Sequence, residues 1–236
     1  MKKSILFIMV AVCCMTASAN NNGVCGDGVT YSFDDETKTL TISKTGEGTG
    51  AMYDYDLNIS GNYTPSPWHS SFDMNIQKVI IEEGVTTIGD GAFQACWVLS
   101  SVSIPSSVTT IGNKAFNMCY KLNTIEIPNS VTSIGYQAFL DCNTLSSIVI
   151  PNSVTSIGFE AFRGCESLTS IVLSNNLTTI KMGTFLGCFG LTSITLPESI
   201  TEIDSEVFEY CVALKDIYCY AENVPQRLTV HFMASN

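Results

Sequence analysis

Eight cysteines lie beyond residue 20, and six of them, Cys96, Cys119, Cys142, Cys165, Cys188 and Cys211, recur every 23 residues. A thiol series of this kind has disulfide formation, metal ligation or nucleophilic chemistry open to it. Equivalent positions of stacked coils point in parallel about 4.8 Å apart, whereas a disulfide draws its Cβ atoms to about 3.8 Å. No Cys-x-x-Cys pair is present, and a linear column does not converge tetrahedrally on a metal. The column therefore reads as buried, reduced thiols packing as small apolar groups. Cys25 and Cys219 lie outside it and are the thiols expected to stay free or to pair. The only histidines, His69 and His231, read as surface residues, because nothing in the pattern brings them to a serine and an aspartate. Acidic residues such as Glu82, Glu83, Glu126, Glu160, Glu198 and Glu202 scatter without the alternating spacing of a calcium loop. No catalytic residue, metal site or cofactor is expected.

The elements that carry these residues follow from the same period. Phe93, Phe116, Phe139, Phe162, Phe185 and Phe208 repeat with it, as do a leucine column from Leu99 to Leu214 and an isoleucine column from Ile88 to Ile203. Six units start at Val85, Val108, Val131, Val154, Leu177 and Ile200, and Ile76–Ile81 supplies a leading half-repeat. Within a unit, Leu122–Ile127 alternates as a half-buried strand and Pro128 closes it. Val131 and Ile134 point inward from a second extended piece, and Gly135 is read as the residue that lets the chain turn. Ala138, Phe139 and Cys142 share one face of a short helical turn on this reading. The phenylalanine column shares the inward phase, so it is core and not a carbohydrate platform. One coil cannot offset the entropy of ordering its residues by its own burial, so stability must come from stacking. The expected fold is a mainly β solenoid of 23-residue coils, each a strand, a turn, a short extended piece and a short helical turn. It has a parallel sheet on one face and an N-terminal β cap.

The unit Ile150-Pro151-Asn152-Ser153-Val154-Thr155-Ser156-Ile157-Gly158, followed by Ala161 to Ile171, resembles the BspA-type leucine-rich repeat. Cys25-Gly26-Asp27, Leu40 to Ser43, Gly50 to Tyr55 and Pro67-Trp68 resemble the region that often precedes such repeats. The resemblance implies a protein secreted or displayed on the surface of a host-associated bacterium, with adhesion to host proteins as its usual attribution.

Residues 1–19 read as a signal peptide: Lys2 and Lys3 are basic, Ile5 to Met15 is apolar, and Ala17-Ser18-Ala19 precedes a cleavage site before Asn20. Cys13 and Cys14 open a lipoprotein alternative, against which Val12 and Cys13 stand where a small residue is wanted. Residues 20–75 form the expected cap, with Val29, Tyr31 and Phe33 hairpinned to Leu40 and Ile42 and with Trp68 and Phe72 on the first coil. The solenoid occupies 76–222. A short tail or partial cap, 223–236, includes Leu228–Phe232 as a covering strand. Unit six decays, with Asp204, Val207 and Cys219-Tyr220 replacing the usual residues, so this end is expected to be the least stable.

The 236 residues carry 11 basic and 22 acidic side chains, a net charge of −11, without a basic cluster, which disfavours nucleic acid and anionic membranes. No apolar run after the signal approaches the roughly 20 residues that span a bilayer. Charged residues are only 14%, and 26 serines with 24 threonines take their place. Ligands of a solenoid belong on the outward strand positions. These are Ser101 and Ser103, Thr124 and Glu126, Ser147 and Val149, Ser170 and Val172, Ser193 and Thr195, with Tyr218, flanked by Lys78, Ile80 and Asp216. The functional expectation is a non-catalytic, secreted or surface-exposed interaction module that binds a host matrix protein. The alternative is a scaffold of the bacterial envelope that binds another bacterial protein or a glycan. No small-molecule substrate is evident.

Overall fold

The computed structural model describes residues 22–56, 64–69 and 75–220. The signal peptide, Phe72 and the covering strand foreseen at Leu228–Phe232 lie outside the described residues. The chain opens with an antiparallel unit, β1 (Asn22–Gly26), β2 (Val29–Asp34) and β3 (Thr39–Lys44), in which Tyr31 faces Ile42 and Phe33 faces Leu40. This is the expected hairpin. β3 then pairs in parallel with β4 (Lys78–Ile81), so the cap and the solenoid share one sheet.

From there each coil contributes to two parallel ladders. Short strands β5 (Thr87–Ile88), β7 (Thr110–Ile111), β8 (Ser133–Ile134), β10 (Ser156–Ile157), β12 (Thr179–Ile180) and β14 (Glu202–Ile203) come from the second extended piece. Strands β6 (Ser101–Ser103), β9 (Ser147–Val149), β11 (Ser170–Val172), β13 (Ser193–Leu196) and β15 (Asp216–Cys219) continue the face begun by β4. Pairing is in register at one coil, Ser147 opposite Ser170 and Ser193 opposite Asp216. The strand expected at Leu122–Ile127 keeps its alternation, with Ile125 and Ile127 buried and Thr124 and Glu126 exposed, but it is not laddered to its neighbours.

The short helical turn is not formed. In its place run two columns of left-handed backbone, Gly91, Lys114, Gln137, Glu160, Gly183 and Glu206, then Ala95, Met118, Asp141, Gly164, Gly187 and Tyr210, with φ between 52° and 72°. A left-handed residue every fourth position excludes an α-helix. Amides that would bond along a helix instead reach the next coil. Lys114 N donates to Tyr136 O at 2.7 Å, Phe116 N to Ala138 O at 2.8 Å and Met118 N to Leu140 O at 2.8 Å. This third ladder holds the turn side of the stack together.

Gly135 does not turn the chain either, because its φ is not positive. A Cβ there would lie 2.5 Å from Asn113 N and 2.6 Å from Gly112 C, so the residue is glycine to let successive backbones touch. At Lys181 a side chain takes this column, and β12 is not laddered to β10. Asp204, next in the column, keeps its amide on Ile180 O at 2.9 Å while its carboxylate accepts the Met182 amide.

The core is a set of columns. Phe116, Phe139 and Phe162 are fully buried, and their rings stack at 5.4 Å with planes 10° and 2° apart. Trp68 starts this column, 5.7 Å from Phe93, with Tyr31 and Tyr55 edge-on to it. The cap meets each of the three ladders: β3 on β4, Ala51 bridged to Thr87, and Tyr55 N on Asp90 O with Trp68 Nε1 on Ala92 O at 3.0 Å. First-coil carbonyls that would otherwise be buried without donors are satisfied in this way. The abundant hydroxyls also serve stacking. Thr109, Thr132, Thr155 and Thr201 Oγ1 each donate to a threonine carbonyl one coil back, and Ser107 and Ser130 to a valine carbonyl.

Candidate functional site

The thiol column is inert by its surroundings. The eight described cysteines form no disulfide with one another; six in the column and Cys25 are buried, and Cys219 is half-buried. Five of the column thiols also do more than fill space. Cys119, Cys142, Cys165, Cys188 and Cys211 Sγ donate to the carbonyl of the phenylalanine one coil back, at 3.1 to 3.3 Å. Burial pushes the Cys25 thiol up to about 12 and Cys211 to about 11, so neither is a nucleophile at neutral pH. Among the described residues, no group of three or more His, Cys, Asp or Glu side chains is placed to hold a metal ion. Several carboxylates bond to the main chain: Glu83 accepts Ser106 N and Oγ, which holds its carboxyl below the usual range, and Asp90 accepts Asn113 N and Nδ2.

The outward strip is laid out as the strand alternation requires. Ser103, Thr124, Glu126, Ser147, Ser170, Ser193 and Thr195 are exposed, and Ser101 is half-buried. Three apolar members stand out: Val149 is 61% exposed, Val172 58% and Tyr218 52%. Two concavities open along this strip. One, of about 640 Å³, is lined by Thr124, Glu126, Ser147, Val149, Val172 and Asn175; the other, of about 670 Å³, by Val172, Asn175, Thr195, Glu198 and Tyr220. They share Val172, Leu173 and Asn175 and so form one shallow trough across five coils.

The trough crosses a seam. β11 and β13 belong to separate ladders, as do β10 and β12, so both sheets are interrupted between the fourth and fifth coils. The turn ladder is intact there, with Phe162 N on Thr184 O at 3.0 Å and Gly164 N on Leu186 O at 2.8 Å. Phe162 and Phe185 are 5.9 Å apart, against 5.4 Å between Phe139 and Phe162. The stack is closed on its turn side and loosened on its sheet side at this point.

Two features escape the sequence reading. Asn175 and Glu198, from the turn after the strand, and Tyr220, just past the end of β15, wall the trough. A second exposed ridge, Tyr136, Phe159 and Met182, stands over the other ladder, with Lys181 Nζ 5.3 Å from the Phe159 ring centre. The 23-residue spacing of that ridge is visible in the sequence, but its changing residue types hide it among uniform columns.

The repeat itself matches the BspA type leucine-rich repeat region in six copies, over residues 69–158 and 133–227. The chain belongs to that family. Among solved structures, this BspA-type chain is similar to a leucine-rich repeat protein from Bacteroides ovatus at 33% identity and a TM-score of 0.62. That match covers 83% of this chain and 52% of the other, so the chain spans about half the length of that relative. It is also similar to the T. pallidum leucine-rich repeat protein at 29% identity and a TM-score of 0.60, covering 78% of this chain and 87% of that one. No curated protein matches significantly. The molecule is a bacterial-type leucine-rich repeat solenoid of about six turns.

Proposed function

We propose that this BspA-type protein is an exported, non-catalytic interaction module that binds a host extracellular protein through its outward strip. One observation carries the reading: Val149 and Val172, adjacent and exposed, lie in the trough formed by two adjoining concavities. Solvated aliphatics in contiguous register are what a protein partner can desolvate, and polar neighbours such as Ser147, Ser170 and Thr195 supply a rim. Export is read from residues 1–19, and among the described residues no helix is long and apolar enough to cross a membrane. The domain limits 20–75, 76–222 and 223–236 belong to the same reading.

The test is binding of purified residues 20–236 to a panel of matrix, mucin and envelope proteins at physiological salt. Saturable binding to one host protein that Val149→Lys and Val172→Lys abolish is the expected result. Binding to envelope material alone favours the scaffold function. Undiminished binding by both lysine variants removes the strip from consideration.

A further inference from the structure

Resting on that reading, we infer that the strip receives an extended, basic polypeptide segment with cationic residues at positions i and i+4 and an apolar residue at i+2. The trough is lined by two carboxylates, Glu126 and Glu198, and by no lysine or arginine. Neither carboxylate has an ion-pair partner among the described residues, unlike Glu160, which holds Arg163. Their neighbours differ usefully. Glu126 shares its concavity with Val149, whereas Glu198 shares its own with Tyr220, 63% exposed. A guanidinium there can pair with the Glu198 carboxylate and lie against the Tyr220 ring.

Spacing selects the partner's backbone. Thr195 is three coils from Glu126, about 14 Å at the usual strand separation of ~4.8 Å, and Glu198 lies three residues beyond it in the turn, an offset that the reach of a long arginine side chain spans. An extended chain rises ~3.4 Å per residue, so side chains at i and i+4 on one face are about 13.5 Å apart. The side chain at i+2 then falls between Val149 and Val172. A helix rises only ~1.5 Å per residue and would need nine residues to cover that distance, with its facing side chains off this register. The chain's net charge of −11 adds long-range attraction for such a segment.

Calorimetric titration tests this with a capped heptapeptide of alternating threonine carrying lysine, valine and arginine at its second, fourth and sixth positions. Two controls replace the cations by glutamate or place them side by side. We expect saturable binding of the first peptide alone at 50 mM salt. Glu198→Gln and Glu126→Gln should each weaken it about fivefold to tenfold, and physiological salt should weaken it further. Phe159→Ser, on the opposite ridge, should leave it unchanged. No saturable binding up to millimolar peptide, equal binding of the acidic control, or an unchanged affinity in Glu198→Gln overturns the inference. The strip itself is judged separately. If the lysine variants at Val149 and Val172 abolish capture of a panel protein while the peptide fails, the strip stands and the basic partner falls. If they do not, the strip falls as well.

Discussion

Gly135→Ala tests the physical basis of the stacking. An alanine whose backbone fits ordinarily stabilises a chain by about 0.4–1 kcal/mol, because it narrows the unfolded ensemble. Gly135 has no left-handed backbone to forbid the change, so that gain would be expected if space were available. It is not available, since the new Cβ would sit 2.5 Å from Asn113 N and 2.6 Å from Gly112 C, both main-chain atoms. Reaching ordinary contact requires the coils to part by nearly 1 Å. The bonds from Gly135 N to Ile111 O at 2.9 Å and Thr132 N to Thr109 O at 2.8 Å would then lengthen beyond useful range. Overpacking of this kind costs about 1–3 kcal/mol, and two weakened bonds at about 1 kcal/mol each are of the same size, so we expect about 2 kcal/mol of destabilisation. Gly46→Ala is the control, because its nearest neighbour is at 3.6 Å and its φ is also unexceptional. Urea unfolding followed by circular dichroism measures both. A Gly135→Ala midpoint at or above that of the parent protein would refute close backbone approach as the reason for the glycine column.

Trp68→Phe keeps the ring in the aromatic column but removes the donor to Ala92 O, and should lower stability by about 1–3 kcal/mol with amide-exchange protection lost first in coil one. In native protein at pH 8, a thiol reagent should label Cys219 rapidly and the seven buried cysteines only after unfolding; fast labelling of any column thiol would contradict their packing. Because Cys25 is raised from 9.0 to about 12 by burial, its contribution to stability is complete below about pH 9 and is lost as pH rises through 12. The parent protein should therefore lose about 1–2 kcal/mol more between pH 8 and pH 10.5 than Cys25→Ala does, and parallel pH curves for the two would dismiss that contribution. Phe139→Ala, which empties a site with rings on both sides, should destabilise by about 3–5 kcal/mol and more than Phe208→Ala, whose ring has one described stacking partner; equal losses would show that ring stacking does not set the difference.

Much of the solenoid is readable from side-chain identity alone. The 23-residue period, the inward set from Val131 to Ile150, the hairpin of Tyr31 and Phe33 with Ile42 and Leu40, and the exposure of Val149 and Val172 all follow from alternation and repetition. These are properties of which way a side chain faces, and period-2 patterning settles that locally. The candidate strip is legible for the same reason, whereas its walls at Asn175, Glu198 and Tyr220 depend on where the chain beyond each strand places residues across coils.

Backbone partners were decided by tertiary structure. Ala138, Phe139 and Cys142 have helical spacing, yet Phe139 N donates to Ala161 O in the next coil, 22 residues away, and Gln137 and Asp141 take left-handed conformations to present such amides. No local propensity specifies a donor–acceptor pair at that separation. Gly135 likewise reads as a turn residue until the coil beneath it is in place and shows that contact, not φ, requires glycine. The seam between the fourth and fifth coils belongs to the same class, because loss of pairing on two faces while a third holds is a relation between coils. Sequence thus determined which side chains build the interior and which face outward. Only the stacked structure decided how closely the coils approach, which amides join them, and where the surface opens into a trough, since each depends on the distance between backbones remote in sequence.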